Sequence, residues 1–242
     1  FSAASGLSIN ASTGTVDVSA STAGFYNITY TTSGSCPIST LFSLSIDNLD
    51  NANFEYGKTT FCVSDSDPLP SVSVSGTFSS TPAGLSINAT NGSIDVSAST
   101  VATYNVTYTT TGTCPNSTSK SITISSLDNA TFNYAATTYC PSGTDPTPTV
   151  SGLTGGTFSF APFGMSINAS TGTIDLSGTI PKSYSVTYTT NGSCPNSASQ
   201  SIVLNPSDDA SFNYSNSNFC LSSADQTPNI SGLTGGVFSS TP

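Results

Sequence analysis

Short runs of alternating apolar and polar residues recur along the chain, separated by breaks rich in Gly, Pro, Asn and Ser. The clearest is Tyr184-Ser185-Val186-Thr187-Tyr188-Thr189. On an extended strand it puts Tyr184, Val186 and Tyr188 on one face and the hydroxyl side chains on the other. Ala130-Thr131-Phe132-Asn133-Tyr134 alternates in the same way, and Pro148–Ser151 and Gly156–Phe160 are short extended pieces around a Gly-rich turn. Met165–Asn168 enters the turn Ala169-Ser170-Thr171-Gly172 and Thr173–Leu176 leaves it, which is a hairpin signal. Asn191-Gly192-Ser193-Cys194-Pro195 forms the next turn, and Ser201–Leu204 closes the unit. About seven short strands at this spacing, with no helical period between them, predict an all-β, immunoglobulin-like antiparallel β-sandwich.

The pattern repeats. Gly6-Leu7-Ser8-Ile9-Asn10 returns as Gly84-Leu85-Ser86-Ile87-Asn88 and as Gly164-Met165-Ser166-Ile167-Asn168, at shifts of 78 and 80 residues. Cys36, Cys114 and Cys194 keep the same shifts, as do Asp17, Asp95 and Asp175. The two extra residues fall beside Gly155-Gly156, where a longer turn is the simplest reading. A period of this length is the size of a small domain, not of a solenoid coil. The stretches Asp47–Asn51, Leu127–Asn129 and Asn205–Asp209 are polar and acidic, and read as linkers. Complete repeats are then expected at 49–126 and 127–206, with 1–48 the back of one repeat and 207–242 the front of another. Phe238–Pro242 matches Phe78–Pro82, so the chain reads as a window from a longer extended array.

Composition narrows the chemistry. There is no His, which removes imidazole bases and ligands. Lys58, Lys120 and Lys182 are the only cations against 13 acids, so a nucleic-acid partner is excluded as a reading. No apolar run approaches the roughly 20 residues of a membrane-spanning helix, and no membrane insertion is expected. Phe1 opens no signal-peptide pattern.

Six cysteines at repeating positions leave two sensible pairings. One joins Cys36–Cys62 and Cys114–Cys140. The other joins Cys62–Cys114 and Cys140–Cys194, leaving Cys36 and Cys220 to partners outside this stretch. The second is favoured, because the last hairpin turn of a sandwich is expected near the domain's own first strand, whereas Cys114 and Cys140 are separated by a strand and a linker. Such bridges would place the chain outside the cytosol.

Asp17, Asp95 and Asp175 occur once per repeat after an apolar residue, which suits a structural turn acid and not a catalytic group. Asp65, Asp67, Asp145 and Asp225 lie in the loop after the first-strand cysteine, and Asp128 and Asp208 in the linkers, with Asp47, Asp50 and Asp209 beside them. Hard oxygen ligands at domain junctions suit calcium, but the spacing follows no strict ligand pattern. Solvated linker charge and Asx turns are the preferred reading, and no cofactor is required. Tyr26, Tyr104 and Tyr184 begin the penultimate strand, where a tyrosine can bury its ring and bond its hydroxyl to backbone. No acid–base pair for catalysis is identifiable.

Gly84-Leu85-Ser86-Ile87-Asn88-Ala89-Thr90-Asn91-Gly92-Ser93-Ile94-Asp95-Val96, followed by Tyr104-Asn105-Val106-Thr107-Tyr108, resembles bacterial immunoglobulin-like repeats. The added Tyr-Cys or Phe-Cys, Gly-Gly-x-Phe-Ser and Thr-Cys-Pro segments resemble repeats of very large secreted surface proteins of Bacteroidetes, among them gliding-motility adhesins of the SprB type. The resemblance implies export to the cell surface by the type IX route and a place in extended adhesive filaments. Its expected partners are neighbouring repeats of the same chain and other surface or secretion-system proteins. Two functions follow: a structural spacer or shaft, or a module that binds glycans or a protein through loops 65–70, 143–148 and 223–228.

Overall fold

The computed structural model describes residues 5–241; the readings above that involve residues 1–4 and Pro242 lie outside the described residues. The chain divides into two units, Phe1–Ser126 and Leu127–Pro242. Among the described residues there are strands and turns and no helix.

The first unit opens with a two-residue ladder, Ser8–Ile9 against Val16–Asp17, and a hairpin of β1 (Gly24–Thr31) and β2 (Ser39–Ile46). It continues with β3 (Thr60–Cys62), β4 (Gly76–Thr81), β5 (Ala102–Thr110) and β6 (Ser117–Ser125), which form one sheet in the order β3-β6-β5-β4. The β4–β5 and β5–β6 pairs are antiparallel, with Tyr108 opposite Phe78 and Tyr104 opposite Ile122. The β3–β6 pair is parallel, with Phe61 opposite Ile124 and Cys62 opposite Ser125. Two short ladders complete the sandwich: Phe54–Glu55 with Ser71–Val72, and Ser86–Ile87 with Ile94–Asp95.

Alternation explains which face each strand buries. Tyr104, Val106 and Tyr108 point into the core, while Thr103, Asn105 and Thr109 point to solvent. The outward hydroxyls pair across strands, Thr103 with Thr123 and Thr107 with Ser119. Phe54 sits at the centre, its ring edge-on to Phe78 at 5.5 Å and to Tyr56 at 5.9 Å. Burying one such ring contributes about 1.5–3 kcal/mol, and edge-to-face pairing adds to it. The turn Asn88–Ser93 is closed by the Asn88 Oδ1, which accepts from the amides of Thr90 and Asn91. Gly92 there has φ +74°, and a Cβ would lie 2.6–2.8 Å from Pro70 and the Phe78 ring, so the site requires glycine.

The second unit repeats this plan with β7 (Thr138–Tyr139), β8 (Thr157–Ala161), β9 (Ser183–Thr189) and β10 (Ser197–Leu204), in the order β7-β10-β9-β8. Its core holds Phe132, Tyr134, Phe158, Met165, Ile174 and Tyr188, the counterparts of Phe54, Tyr56, Phe78, Leu85, Ile94 and Tyr108. The two-residue insertion forms a longer turn, as its glycines imply. Leu153 donates its amide to the Asn129 carbonyl (2.7 Å), and Tyr188 donates its hydroxyl to the Leu153 carbonyl (2.7 Å). Beyond β10 the chain forms one further ladder, Phe212–Asn213 with Asn229–Ile230.

Candidate functional site

The repeated acids are committed to turns. Asp95 Oδ1 accepts from the Ser97 hydroxyl and the Ala98 amide, both at 2.9 Å. Asp17 and Asp175 do the same with Ser19 and Ala20, and with Ser177 and Gly178. These hydrogen bonds hold all three carboxyls below the usual Asp range: for Asp17 the Ser19 hydroxyl leads, for Asp95 and Asp175 the amides of Ala98 and Gly178.

The loop acids reach across the sandwich. Asp67 Oδ1 accepts from the Val96 amide at 3.1 Å and Asp145 Oδ1 from the Leu176 amide at 3.0 Å. The adjacent Pro68 and Pro146 carbonyls accept from the amides of Ile94 and Ile174. Each carboxylate with its neighbouring carbonyl thus fastens the loop to the edge of the second hairpin. Asp65 instead pairs with Lys58 at 2.6 Å and accepts the Cys62 amide, and Lys58 is the main cause of its lowered pKa. Asp225 and Asp208 are exposed.

The linker acids Asp50 and Asp128 are built into the fold. Asp128 donates its amide to the Cys194 carbonyl and accepts the Thr190 hydroxyl on Oδ2 at 2.9 Å, while Asn196 Nδ2 bonds its carbonyl. Asp50 makes the corresponding amide and carbonyl bonds to Cys114 and Asn116, but its buried Oδ2 has no hydrogen-bond partner in the structure. Among the described residues no three Asp, Glu, His or Cys side chains come together as a metal cage. The candidate calcium ligands Asp65, Asp67, Asp145, Asp225, Asp128 and Asp208 are therefore not gathered into a group.

The cysteines depart from both expected pairings. Cys62 and Cys194 are half-cystines, whereas Cys36, Cys114, Cys140 and Cys220 carry free thiols. The Cys62–Cys114 and Cys140–Cys194 bridges are not formed, and strand direction gives the reason. Cys62 lies opposite Ser125, at the end of β6, while Cys114 lies in the turn before Ser117, at its start. Eight strand residues separate these ends, roughly 26 Å, against the ~7 Å between Cα atoms that a disulfide tolerates. Cys140 and Cys194 stand at opposite ends of β10 in the same way. The parallel pairing sends the first strand to the end of the sheet remote from the hairpin turn.

The tyrosine hydroxyls bond backbone as their positions suggest: Tyr26 to Thr22, Tyr104 to Thr100 and Tyr184 to Ile180, at 2.6–2.7 Å. A cleft of about 560 Å³ lies in the first unit among Leu69, Pro70, Val74, Phe78, Asn91 and Tyr108. Its titratable group, the Tyr108 hydroxyl, is already bonded to the Val74 carbonyl.

No protein-family model matches the chain, and no curated protein does. Among solved structures, it is similar to mouse clustered PcdhgC3 EC1-3, at 11% identity and a TM-score of 0.32 over 77% of each chain. It is also similar to protocadherin gamma B7 extracellular cadherin domains 1-4, at 12% identity and a TM-score of 0.32, over 89% of this chain and 69% of that one. Human CDH23 EC21-23 matches at 11% identity and a TM-score of 0.31, over 72% and 77%. Scores this low assign no family and lend no function. Of the acids that sequence reasoning treated as possible ligands, Asp67, Asp145 and Asp128 are tied into the fold by hydrogen bonds and Asp65 by its pairing with Lys58, whereas Asp225 and Asp208 are exposed; the one-per-repeat spacing of Asp17, Asp95 and Asp175 was the signal for their role in turns.

Proposed function

We propose that these repeats are structural spacers of an extracellular surface protein, holding other parts of a long chain away from the cell. The observation that carries this reading is the duplication of the interior. Phe54, Phe78, Ile94 and Tyr108 recur as Phe132, Phe158, Ile174 and Tyr188 in a second core of the same design. The conspicuous polar side chains, Asp67/Asp145, Asp95/Asp175 and Asn88/Asn168, are consumed by internal bonds in both copies. Copies that differ little suit a part whose value lies in number, whereas a binding site needs only one of them. The scarcity of cations and the excess of acids keep such chains soluble and apart.

Within this reading, residues 49–126 and 127–206 are the complete repeats, and neighbouring repeats are the principal partners. The resemblance of the Tyr-Cys or Phe-Cys, Gly-Gly-x-Phe-Ser and Thr-Cys-Pro segments favours gliding-motility adhesins of the SprB type, secreted by the type IX route, as the parent class. The repeats perform no catalysis. A glycan array probed with the full chain tests the assignment: no saturable binding is expected. Saturable binding abolished by substitutions in loops 65–70 and 143–148 would replace the spacer by a recognition module.

A further inference from the structure

We propose that Asn191-Gly192 is a self-modification site: the Asn191 side-chain amide converts to a carboxylate with loss of ammonia, and the product loosens the stretch Leu127–Asn129 from the hairpin turn that holds it. The inference stands apart from the spacer reading, because it needs only residues of the second unit.

The chain holds two Asn-Gly pairs, Asn91-Gly92 and Asn191-Gly192. In such a pair no side chain shields the following nitrogen, so the backbone can bring it onto the Asn side-chain carbonyl. The two pairs differ in their settings. The Gly92 amide donates to the Asn88 carbonyl at 2.8 Å, Asn91 Oδ1 accepts the Ser93 amide at 3.0 Å, and Gly92 is buried. Asn191 is exposed in the turn between β9 and β10. Among the described residues neither its side chain nor the Gly192 amide has a hydrogen-bond partner. The counterparts of Asn191 in the other copies are Ser33 and Thr111, which fit the same turn and cannot react in this way.

The Gly192 nitrogen attacks Cγ of Asn191. A C–N bond forms, the Cγ–Nδ2 bond breaks, and the Gly192 N–H proton leaves with Nδ2 as ammonia, closing a succinimide ring. Water then opens the ring. Attack at Cγ restores the ordinary main chain with an aspartate. Attack at the main-chain carbonyl carbon leaves Gly192 joined through Cγ, an isoaspartate whose main chain is longer by a methylene. No oxidant or further reactant is required.

Both products strain the same attachment. A Cβ placed on Gly192 would lie 2.5 Å from Asp128 Oδ2, so Gly192 already packs against this carboxylate. Asp128 donates its amide to the Cys194 carbonyl, accepts the Thr190 hydroxyl on Oδ2 and accepts Asn196 Nδ2 on its carbonyl. The aspartate product brings a second negative charge towards Asp128, and the isoaspartate product pushes Gly192 into it.

Tryptic mapping of the full chain, aged without reductant in mildly alkaline buffer, tests the proposal. Trypsin cuts after Lys58, Lys120 and Lys182, which puts the two Asn-Gly pairs in separate peptides, 59–120 and 183–242. Expected is amide-to-acid conversion in 183–242, with isoaspartate detected by an isoaspartyl methyltransferase. It should run roughly tenfold or more faster than in 59–120, the margin set by the hydrogen bonds that hold Asn91-Gly92. Asn191→Thr, which copies the turn of the first unit, abolishes the fast conversion. Asn88→Ala removes the Oδ1 that closes the Asn88–Ser93 turn and speeds conversion in 59–120. Hydrogen exchange of the aged chain shows the Asp128 amide losing protection by roughly fivefold or more, whereas the aged Asn191→Thr chain keeps it. Equal rates in the two peptides, or fast conversion that survives Asn191→Thr, overturn the site. Full conversion with unchanged protection at Asp128 overturns its consequence. A glycan array reads neither quantity, so failure here is distinguishable from failure of the spacer reading.

Discussion

Replacing Tyr56 by Phe isolates one hydroxyl that ties the front of the first sandwich to its back. Tyr56 donates to the Gly92 carbonyl at 2.6 Å across 36 residues of chain, and the bond is buried. Its ring packs edge-on to Phe54 and, at 6.5 Å, to Phe61, so Tyr56→Phe keeps the apolar contacts. The buried Gly92 carbonyl would then lose its donor. An orphaned buried acceptor costs about 1–3 kcal/mol, which corresponds to roughly a 5- to 150-fold rise in the open population. Hydrogen exchange followed by mass spectrometry reads this by peptide. Peptides covering Ala102–Ser125 should lose protection by that factor, while peptides covering Ser183–Leu204, where Tyr134 still bonds Gly172, serve as the internal reference. A change below about twofold in the first set would refute the idea that this bond joins the two parts of the sandwich.

Other consequences are equally measurable. Burial raises the Tyr56 and Tyr134 phenols above their ordinary value, so the folded state keeps protons that the unfolded state releases, and thermal stability should fall as pH climbs past about 10. The carboxyls of Asp17, Asp95 and Asp175 are lowered; their contribution is complete above the ordinary Asp value and should be lost as pH falls from there through the lowered folded-state value, which melts at successively lower pH would show. Alkylation before reduction, then peptide mapping, should label Cys36, Cys114, Cys140 and Cys220 and spare Cys62 and Cys194. Gly76→Ala places a Cβ 2.4 Å from the Thr109 carbonyl and 2.6 Å from the Tyr108 ring; a loss of about 1–3 kcal/mol in urea unfolding is expected.

Some elements announce themselves in the sequence because their signals are local. Tyr184, Val186 and Tyr188 alternate over five residues, and β9 forms there. The turn Ala169–Gly172 carries its own glycine and sits between two apolar pairs, and the ladder Ser166–Ile167 with Ile174–Asp175 follows. The strand Thr60–Cys62 gives no such signal. It is three residues long, and its partner lies 63 residues later, so no short-range pattern encodes the pairing of Phe61 with Ile124. The cysteine expectation failed for the same reason, since it depended on which end of the sheet that strand approaches. Asp67 and Asp145 looked like loop charge because their acceptors' partners, the amides of Val96 and Leu176, are 29 and 31 residues away.

The parallel pairing of β3 with β6 has a mechanical consequence. These are the entering and leaving strands of the unit's main sheet, and they run side by side in the same direction. The Val63 amide bonds the Ser125 carbonyl, and the Thr123 amide bonds the Thr59 carbonyl. Tension applied at the two chain ends of the unit would draw β3 backward and β6 forward. The rungs between them would then be loaded together, in shear, and not peeled one after another. A tether built from such units would yield by the rupture of a whole clamp.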